Sequence, residues 1–296
     1  MIVISDLREF KLSGSAVSIG MFDGVHRGHR FVLRQLRERA SSVQTPAVVV
    51  TFDPHPLATL RPGSRPALLS TLQNRIELLA STRQVDYCLV LRFDRERSTE
   101  SADDFVRKTL VDMLGMRSLI VGENFACGSG RRGNIEYLRD LGACLGFDVC
   151  PVPLLRDEYI GNGVHCSSTE TRRLIQQGDI ASANAMLDRP HELSGTAAGS
   201  NVAACRVADI VLPGVMCSPP AGDYAGAVKK QNVGGAWTAA ILQVQERKPQ
   251  VDVRNVRLLV EKDIDIAPGD AVSVRFLDSA RPGVNRAGSA AMVDVR

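Results

Sequence analysis

The sequence predicts an α/β chain with two domains: a doubly wound parallel sheet over residues 1–188, then a small antiparallel β-barrel over residues 189–296. The first domain is predicted by strand and helix patterns that alternate along the chain, and by continuously apolar strands such as residues 47–50. The second is predicted by a change after Pro190, where Gly, Ala, Ser and Val increase and short β-like segments follow one another. A length of 296 residues fits two domains.

The first domain alternates strands with helices. Apolar runs rich in β-branched residues predict strands at residues 16–19, 47–52, 87–91, 118–122 and 148–152. Apolar residues at helical spacing predict helices at residues 29–40, 72–81, 102–114 and 135–145. This βαβ alternation favours a parallel sheet with helices on both faces. Ligands of such sheets bind at the carboxyl ends of the strands, so we expect the site there.

Two more helices are predicted before the domain boundary. Ser167 and Glu170 have the spacing of a capping box, which predicts a helix from there to residue 177. Gly178 ends that helix, and a second one follows at residues 180–187. In the second domain, strands are predicted at residues 225–228, 237–244, 253–260 and 271–276, separated by turns that include residues 232–235 and 268–270. By itself this strand pattern fits an antiparallel barrel or a sandwich.

Composition and charge exclude several classes of function. A net charge of +3, without a basic stripe interleaved with aromatic residues, argues against a nucleic-acid partner. No apolar run reaches the roughly 18 residues that span a membrane, and no secretory signal is visible. We therefore expect a cytoplasmic protein without a membrane partner. The seven cysteines are scattered and odd in number, which favours reduced thiols, and none has the spacing of a zinc site. The oligomeric state is left open.

The segment Gly20-Met-Phe-Asp-Gly-Val-His-Arg-Gly-His29 carries the chemistry of the first domain. A predicted strand enters it, its glycines form a tight turn, and a helical pattern begins at His29. A helix N-terminus presents free N–H groups and the positive end of its dipole, which favour a phosphate. His26 lies three residues before His29 on the same helix face, so both can donate to one triphosphate. This arrangement suits phosphoryl chemistry without a protein nucleophile; the alternative is a corner with two solvated histidines.

The pattern His-x-Gly-His at residues 26–29 is the signature of the nucleotidylyltransferase superfamily. The longer segment around it resembles the N-terminal module of the prokaryotic FAD synthetases, which are bifunctional riboflavin kinase/FMN adenylyltransferases. Three further segments match that family in the same order. They are residues 51–56 (Thr-Phe-Asp-Pro-His-Pro), residues 121–125 (Val-Gly-Glu-Asn-Phe) with the Arg131-Arg-Gly133 loop, and residues 167–172 (Ser-Ser-Thr-Glu-Thr-Arg).

The resemblance implies a nucleotidylyltransferase domain that transfers AMP from ATP to FMN and gives FAD and pyrophosphate. ATP and FMN are then the small-molecule partners, Mg²⁺ enters with ATP, and no metal is held by the protein alone. His26 and His29 are expected to contact the triphosphate and stabilise developing charge. Arg172 is expected to hold the β- and γ-phosphates in fork geometry, together with Ser168 and Thr169. The expected nucleotide-lining residues are Gly20, Phe22, Asp23 and Gly24, and Ser167 is expected to cap the helix as well as to belong to the phosphate loop.

Three other positions are implied to face the same cleft. Asn124 is expected to hydrogen-bond FMN or the reacting phosphate, as the family's Asn or Asp does. Asp53 and His55 lie on the loop after the second predicted strand, where they face the cleft or merely stabilise a turn before proline. The loop at residues 128–133 is either a cover whose arginines reach the phosphates or an ordinary solvated loop.

The second domain occupies the place of the family's riboflavin kinase barrel but departs from its catalytic motifs. The family's Gly-Phe-Pro-Thr-Ala-Asn string supplies ligands for magnesium and phosphate, and its best match here is residues 204–209, where Val207 replaces the threonine. Magnesium needs oxygen ligands that valine lacks. Asn255 replaces the glutamate that deprotonates riboflavin, and an amide cannot accept that proton. We therefore expect a barrel without kinase activity.

Two alternatives to FMN adenylyl transfer remain open. One keeps nucleotidyl transfer but changes the acceptor to a flavin analogue or another phosphorylated metabolite. The other is a flavin-binding or regulatory protein without catalytic activity, against which the intact His26, His29, Ser168, Thr169 and Arg172 argue.

Overall fold

The computed structural model describes residues 1–5, 10–156, 163–198, 207–231, 236–246, 252–260 and 266–279. Their contacts divide the chain into two compact units. The first comprises Met1–Leu174, Ser182–Arg189 and Val215–Cys217, and the second comprises Ile175–Ala181, Pro190–Gly214 and Ser218–Arg296. A three-residue segment from later in the chain, Val215–Cys217, belongs to the first unit, and the earlier segment Ile175–Ala181 belongs to the second.

The first unit contains a six-stranded parallel sheet, which confirms the predicted fold class. Its strands are β1 (Ile2–Ile4), β2 (Ser15–Ile19), β3 (Ala47–Asp53), β4 (Tyr87–Arg92), β5 (Met116–Gly122) and β6 (Asp148–Val152), in the order β1-β4-β3-β2-β5-β6. All five pairs are parallel. The strand order reverses between β2 and β5, and the carboxyl ends of such strands form the crevice where α/β sheets bind ligands.

Helices cover both faces of the sheet. The described α-helices are α1 (Arg27–Ser42), α2 (Pro56–Leu60), α3 (Leu72–Ser81), α4 (Arg95–Thr99), α5 (Ala102–Asp104), α6 (Ile135–Leu145), α7 (Ser168–Gln177) and α8 (Ile180–Leu187), and α5 continues as a π-helix over Phe105–Met113. The π-helix and α6 pack on one face of the sheet, and α1 and α3 pack on the other. Alternate residues of β2 point into two different cores. Val17 packs with Leu110 and Leu138 on one face, and Ala16 packs with Leu33 on the other. This alternation buries the strands on both faces.

Helix α1 begins two residues before its predicted start. The side chain of His26 accepts a hydrogen bond from the backbone N–H of His29 and thereby caps the helix at its N-terminus. Gly28, which the sequence places in the turn, lies in the first turn of α1 instead. A Cβ there would lie 2.8 Å from the carbonyl oxygen of Cys166, so close packing requires this glycine.

Only one of the two hydrogen bonds of the capping box before α7 forms. The Ser167 hydroxyl accepts the backbone N–H of Glu170 at 3.1 Å, as predicted for an N-cap. The Glu170 carboxylate does not complete the box, because it pairs with Arg173 one turn along the helix. This ion pair lowers the pKa of Glu170.

The second unit contains the closed antiparallel barrel. Its strands are β7 (His191–Ala198), β8 (Val207–Pro213), β9 (Gly222–Lys230), β10 (Thr238–Val244), β11 (Val253–Val260) and β12 (Ala271–Ser279), in the order β10-β11-β8-β7-β12-β9. Strands β7 and β8 are not among those predicted from the sequence. Strand β7 escapes detection because Gly195 interrupts its apolar alternation; a Cβ at Gly195 would lie 2.6 Å from the Val211 carbonyl oxygen on β8. Residues 204–206 and the turn at residues 232–235 lie outside the described residues.

A short segment from beyond the barrel's second strand packs in the first unit. The backbone N–H of Leu68 donates to Val215 at 2.8 Å, and the N–H of Cys217 donates to Leu68 at 2.7 Å. These bonds form a parallel bridge between Leu68 and Met216. We call Val215–Cys217 the strap.

Among the described helices, none is long and apolar enough to cross a membrane.

Candidate active site

The loop after β2 is organised around the buried carboxylate of Asp23. Its oxygens accept the backbone N–H groups of Leu69 and Ser70 at 2.9 to 3.1 Å and the Ser70 hydroxyl at 3.0 Å. The same hydroxyl accepts the N–H of Gly24 at 3.0 Å. Gly24 has a φ of +75°, and a Cβ there would lie 2.9 Å from Leu69. The sequence analysis expects the backbone of residues 20–24 to line the nucleotide, and the side chain of Asp23 is directed away from it, at the loop that precedes α3.

Arg172, on α7, completes this cluster. Its Nη2 lies 2.6 Å from the Asp23 carboxylate, and its Nε donates to the carbonyl oxygen of Ala67 at 2.6 Å. Asp23 is 2% exposed and Arg172 13%, so this ion pair is largely shielded from water. The remaining nitrogen, Nη1, makes no hydrogen bond to the described residues. Arg172 is therefore held in place by two acceptors and retains its Nη1 group, with two N–H donors, for a ligand.

The two predicted histidines lie together at the start of α1. Their rings are stacked, with centroids 3.6 Å apart and an interplanar angle of 21°. Phe22 contacts the His29 ring at a centroid distance of 5.2 Å. Nδ1 of His26 accepts from the backbone of His29, so a neutral His26 carries its proton on Nε2, which can donate to a ligand. Nδ1 of His29 is buried without a hydrogen-bond partner among the described residues.

Both histidines are neutral near pH 7. Burial is the main cause, and it lowers the pKa of His26 from 6.5 to about 3; the cations of Arg189 and Arg172 act in the same direction, while Asp23 opposes them. Burial also holds the pKa of His29 well below its usual range, and the neighbouring His26 adds to this effect. The site therefore offers neutral imidazole donors rather than imidazolium ions.

These pKa values predict how stability depends on pH. Below pH 6.5 the unfolded chain binds a proton at His26 that the folded chain does not bind until about pH 3, so stability falls as pH falls through this window. We expect His26 to account for about 2 kcal/mol of the stability lost between pH 7 and pH 5. Chemical denaturation of wild type and His26→Ala at both pH values measures the difference. An equal loss in the two proteins would contradict the assignment.

The start of α7 brings the predicted phosphate loop to the same place. The Ser168 hydroxyl donates to the carbonyl oxygen of Asp23 at 3.0 Å, which ties this helix to the loop after β2. Thr169 is exposed, and its hydroxyl makes no hydrogen bond to the described residues. The backbone N–H groups of Ser168 and Thr169 also have no acceptor in this part of the chain. Such N–H groups at a helix start suit a phosphate.

Two further predicted residues lie at the end of β3, which neighbours β2. Asp53 is exposed, and its carboxylate lies 3.8 Å from Nη2 of Arg75. His55 caps α2 by accepting the N–H of Leu57 at 3.1 Å, so it performs the local turn role. Burial lowers the pKa of His55, and Arg172 contributes to that shift, which places His55 within reach of the same charges.

Asn124 follows β5 at the crevice, and its side chain is exposed. The loop beyond it closes through paired backbone hydrogen bonds between Cys127 and Gly133. Arg131 on this loop donates to the backbone carbonyl of Asn124 at 3.2 Å. The contact joins the loop to the end of β5, and both arginines of the loop are exposed.

Sequence reasoning missed several residues that build the site. The Ser70 hydroxyl donates to the Asp23 carboxylate, and the strap pairs with the neighbouring residue Leu68. Arg75 donates to the carbonyl oxygen of Met21 in the loop after β2, and Arg189 donates to that of Gly24. Their partners are mostly backbone atoms or residues distant in sequence, so no local pattern marks them. The one available signal is Arg75 itself, a charged residue on the apolar side of the α3 pattern.

The sheet order and the position of the histidines at its carboxyl edge place the first unit among the nucleotidyltransferase-like α/β proteins. Comparison of the sequence with protein families identifies the family within this class. The model of the FAD synthetase family matches residues 9–169, more than half of the chain, and the chain belongs to that family.

Curated relatives agree with this assignment. The chain is 35% identical over 192 residues to the bifunctional riboflavin kinase/FMN adenylyltransferase of Escherichia coli K12, a match that covers 65% of this chain and 60% of that protein. It is 36% identical over 182 residues to the protein of the same description from Pseudomonas fluorescens, with 62% and 57% covered. The matches thus span about 60% of the length of these relatives.

A solved structure confirms the fold of both units. A crystal structure described as a macrolide-efflux protein from Streptococcus pneumoniae superposes with a TM-score of 0.77 and covers 96% of this chain and 91% of its own. Its sequence identity is 24%, so the likeness concerns the fold alone. The α/β unit followed by a barrel, predicted from the sequence, is a known arrangement.

Proposed function

We propose that this protein is an FMN adenylyltransferase, which transfers AMP from ATP to FMN and releases pyrophosphate. The observation that carries the proposal is the convergence of two helix starts on one loop, at α1 with its stacked histidines and at α7 with Arg172. Each helix start favours phosphate through its N–H groups and dipole. Membership of the FAD synthetase family supports ATP and FMN as the substrates.

In the proposed reaction a phosphate oxygen of FMN forms a bond to the α-phosphorus of ATP, and the bond from that phosphorus to the β-phosphate bridging oxygen breaks. The protein contributes no nucleophile, so its task is positioning and charge stabilisation. Nε2–H of His26 and the His29 ring donate to the triphosphate as charge develops. Nη1 of Arg172 and the N–H groups of Ser168 and Thr169 receive the leaving β- and γ-phosphates. Asn124 contacts the acceptor.

Magnesium enters with ATP as part of the substrate. Among the described residues, no group of three or more His, Cys, Asp or Glu side chains is arranged to hold a metal ion. The buried carboxylate of the site, Asp23, already accepts from Leu69, Ser70 and Arg172, so it does not serve as a ligand. A resident metal centre does not fit these residues.

The acceptor is tested by offering the purified protein Mg²⁺-ATP with FMN, riboflavin, or other phosphorylated metabolites in parallel. We expect FAD from FMN and no adenylylated product from the other acceptors. Transfer to a different phosphorylated acceptor would establish the second class of function, and flavin binding without any transfer would establish a binding protein.

Arg172→Lys is expected to lower ATP affinity or turnover about tenfold, because lysine cannot span Asp23 and the Ala67 carbonyl while presenting a third donor. Arg173→Lys on the same helix is the matched control, since Arg173 is half-exposed and pairs only with Glu170 among the acidic groups described. Steady-state kinetics with varied ATP distinguish the two variants. If Arg172→Lys matched the control, the assigned phosphate role would be wrong.

Riboflavin with ATP is expected to give no FMN. Val207 begins β8 and pairs with Leu259, whereas Asn255 on β11 pairs with Val211. The two positions matched to the kinase motifs therefore lie four residue pairs apart along the strands, about 13 Å, which does not suit one phosphoryl-transfer site. Chromatographic detection of FMN formed from riboflavin and ATP tests this expectation. FMN formation that survives removal of contaminating kinase would refute it.

A further inference from the structure

Arg75 is a buried cation to which the sequence analysis gave no role. It extends from α3, and its side chain is 5% exposed. Its Nη1 donates to the carbonyl oxygens of Met21 at 2.8 Å and Phe52 at 3.3 Å, and to the Thr51 hydroxyl at 3.2 Å. The Thr51 hydroxyl in turn donates to Met21 at 3.2 Å. One guanidinium group thus joins the ends of β2 and β3.

The charge of Arg75 is not neutralised by a hydrogen-bonded carboxylate among the described residues. The Asp53 carboxylate lies 3.8 Å from Nη2, and its side chain is 49% exposed to solvent. Asp23 acts on Arg75 through its charge but forms its own ion pair with Arg172. Nε of Arg75 is buried with no partner in the described part of the chain. Asp53 is thus a distant, half-exposed counter-ion that compensates the buried charge only in part, and an anion bound at this edge would offset the remaining cost.

The bonds of Arg75 connect the loop after β2 with the end of β3, and both segments carry predicted site residues. Met21 lies in the loop that continues to Asp23 and His26, and Phe52 directly precedes Asp53. Arg37, on α1, makes a different kind of interaction at the opposite edge of the same sheet. It forms a two-pronged pair with Asp86, just before β4, and is therefore at the amino edge of the sheet. Arg37 therefore belongs to a structural ion pair, whereas Arg75 donates hydrogen bonds to neutral acceptors at the carboxyl edge.

We propose that Arg75 is a positioning residue of the transfer site. It fixes the Met21 and Phe52 carbonyl groups, so that the loop after β2 and the end of β3 keep a set spacing, and its positive charge favours a phosphorylated substrate at this edge. The inference rests on the proposed function for the identity of the substrates, FMN and ATP. The position of the Arg75 charge at the ends of β2 and β3 follows from the geometry alone.

The test compares Arg75→Met, Arg75→Lys and Arg37→Met with the wild type. Thermal unfolding gives stability, calorimetry gives the Kd for ATP, and FAD formation gives kcat and KM. Losing hydrogen bonds from a charged donor corresponds to about a tenfold or greater effect, so we expect Arg75→Met to weaken ATP binding and lower kcat by at least that factor. Arg75→Lys restores part of both, because it keeps the charge and one donor. Arg37→Met lowers stability and leaves both parameters unchanged.

The inference is overturned if folded Arg75→Met binds ATP and turns over as the wild type does. It is also overturned if Arg75→Lys is as impaired as Arg75→Met, or if Arg37→Met shows the same kinetic loss. Should Arg75→Met not fold, Arg75→Gln replaces it, since the amide retains a donor. If the wild type forms no FAD, the proposed function fails, and the ATP and pyrophosphate affinities of the same variants still decide the role of Arg75.

Discussion

His29→Ala is expected to lower the rate of FAD formation by a factor of about 10²–10³, the usual cost of removing one donor that stabilises a transition state. His29 stacks on His26 and contacts Phe22 at the start of α1, so its ring lies where the loop after β2 meets the helix. Its pKa is held well below the usual range by burial, so the wild-type imidazole is neutral near pH 7.

The substitution separates catalysis from folding. Alanine is a better helix former than histidine, and His29 makes no side-chain hydrogen bond to the described residues, so α1 remains intact. His165→Ala removes an exposed histidine of the same unit and serves as the matched control. Single-turnover kinetics of both variants give the comparison. Activity of His29→Ala within twofold of the control would mean that the imidazole has no role in transfer.

Asp23→Ala is expected to lower the free energy of unfolding by about 3–5 kcal/mol, because breaking a buried ion pair leaves an uncompensated charge. The alanine would leave Arg172 without its counter-ion and remove the acceptor of the Leu69 and Ser70 N–H groups. We also expect weaker ATP binding, since Arg172 would no longer be held.

Asp53→Ala is the control for this loss. Asp53 lies on the same edge of the sheet but is largely exposed and 3.8 Å from its cation, so its removal is expected to cost at most about 1 kcal/mol. Urea denaturation at pH 7 measures both variants. A loss in Asp23→Ala no larger than that in Asp53→Ala would show that the cluster around Asp23 does not organise the site.

The sequence predicted the elements whose signals are local. Strand β11 has the bounds that its alternation predicts, and the start of α7 was marked by Ser167. The stacked histidines were also foreseen at the start of a helix, because the spacing of three residues places them on one face. Membership of the FAD synthetase family was likewise predicted from ordered motifs.

What the sequence could not predict depends on contacts between distant segments. The side chain of Asp23 turns toward Leu69 and Ser70, 46 and 47 residues away, and no periodicity encodes that pairing. Gly28 was assigned to a turn, although packing against the Cys166 backbone is what requires it. The strap belongs to the first unit although it follows β8 in the chain, and its backbone bonds to Leu68 leave no mark in the local sequence.

The central claim is most directly tested by measuring FAD and pyrophosphate together from Mg²⁺-ATP and FMN. Adenylyl transfer predicts one pyrophosphate for each FAD, no FAD without ATP, and the same drop in both products with His29→Ala. Formation of FAD without stoichiometric pyrophosphate, or hydrolysis of ATP with FMN left unchanged, would contradict transfer of AMP to FMN at this site.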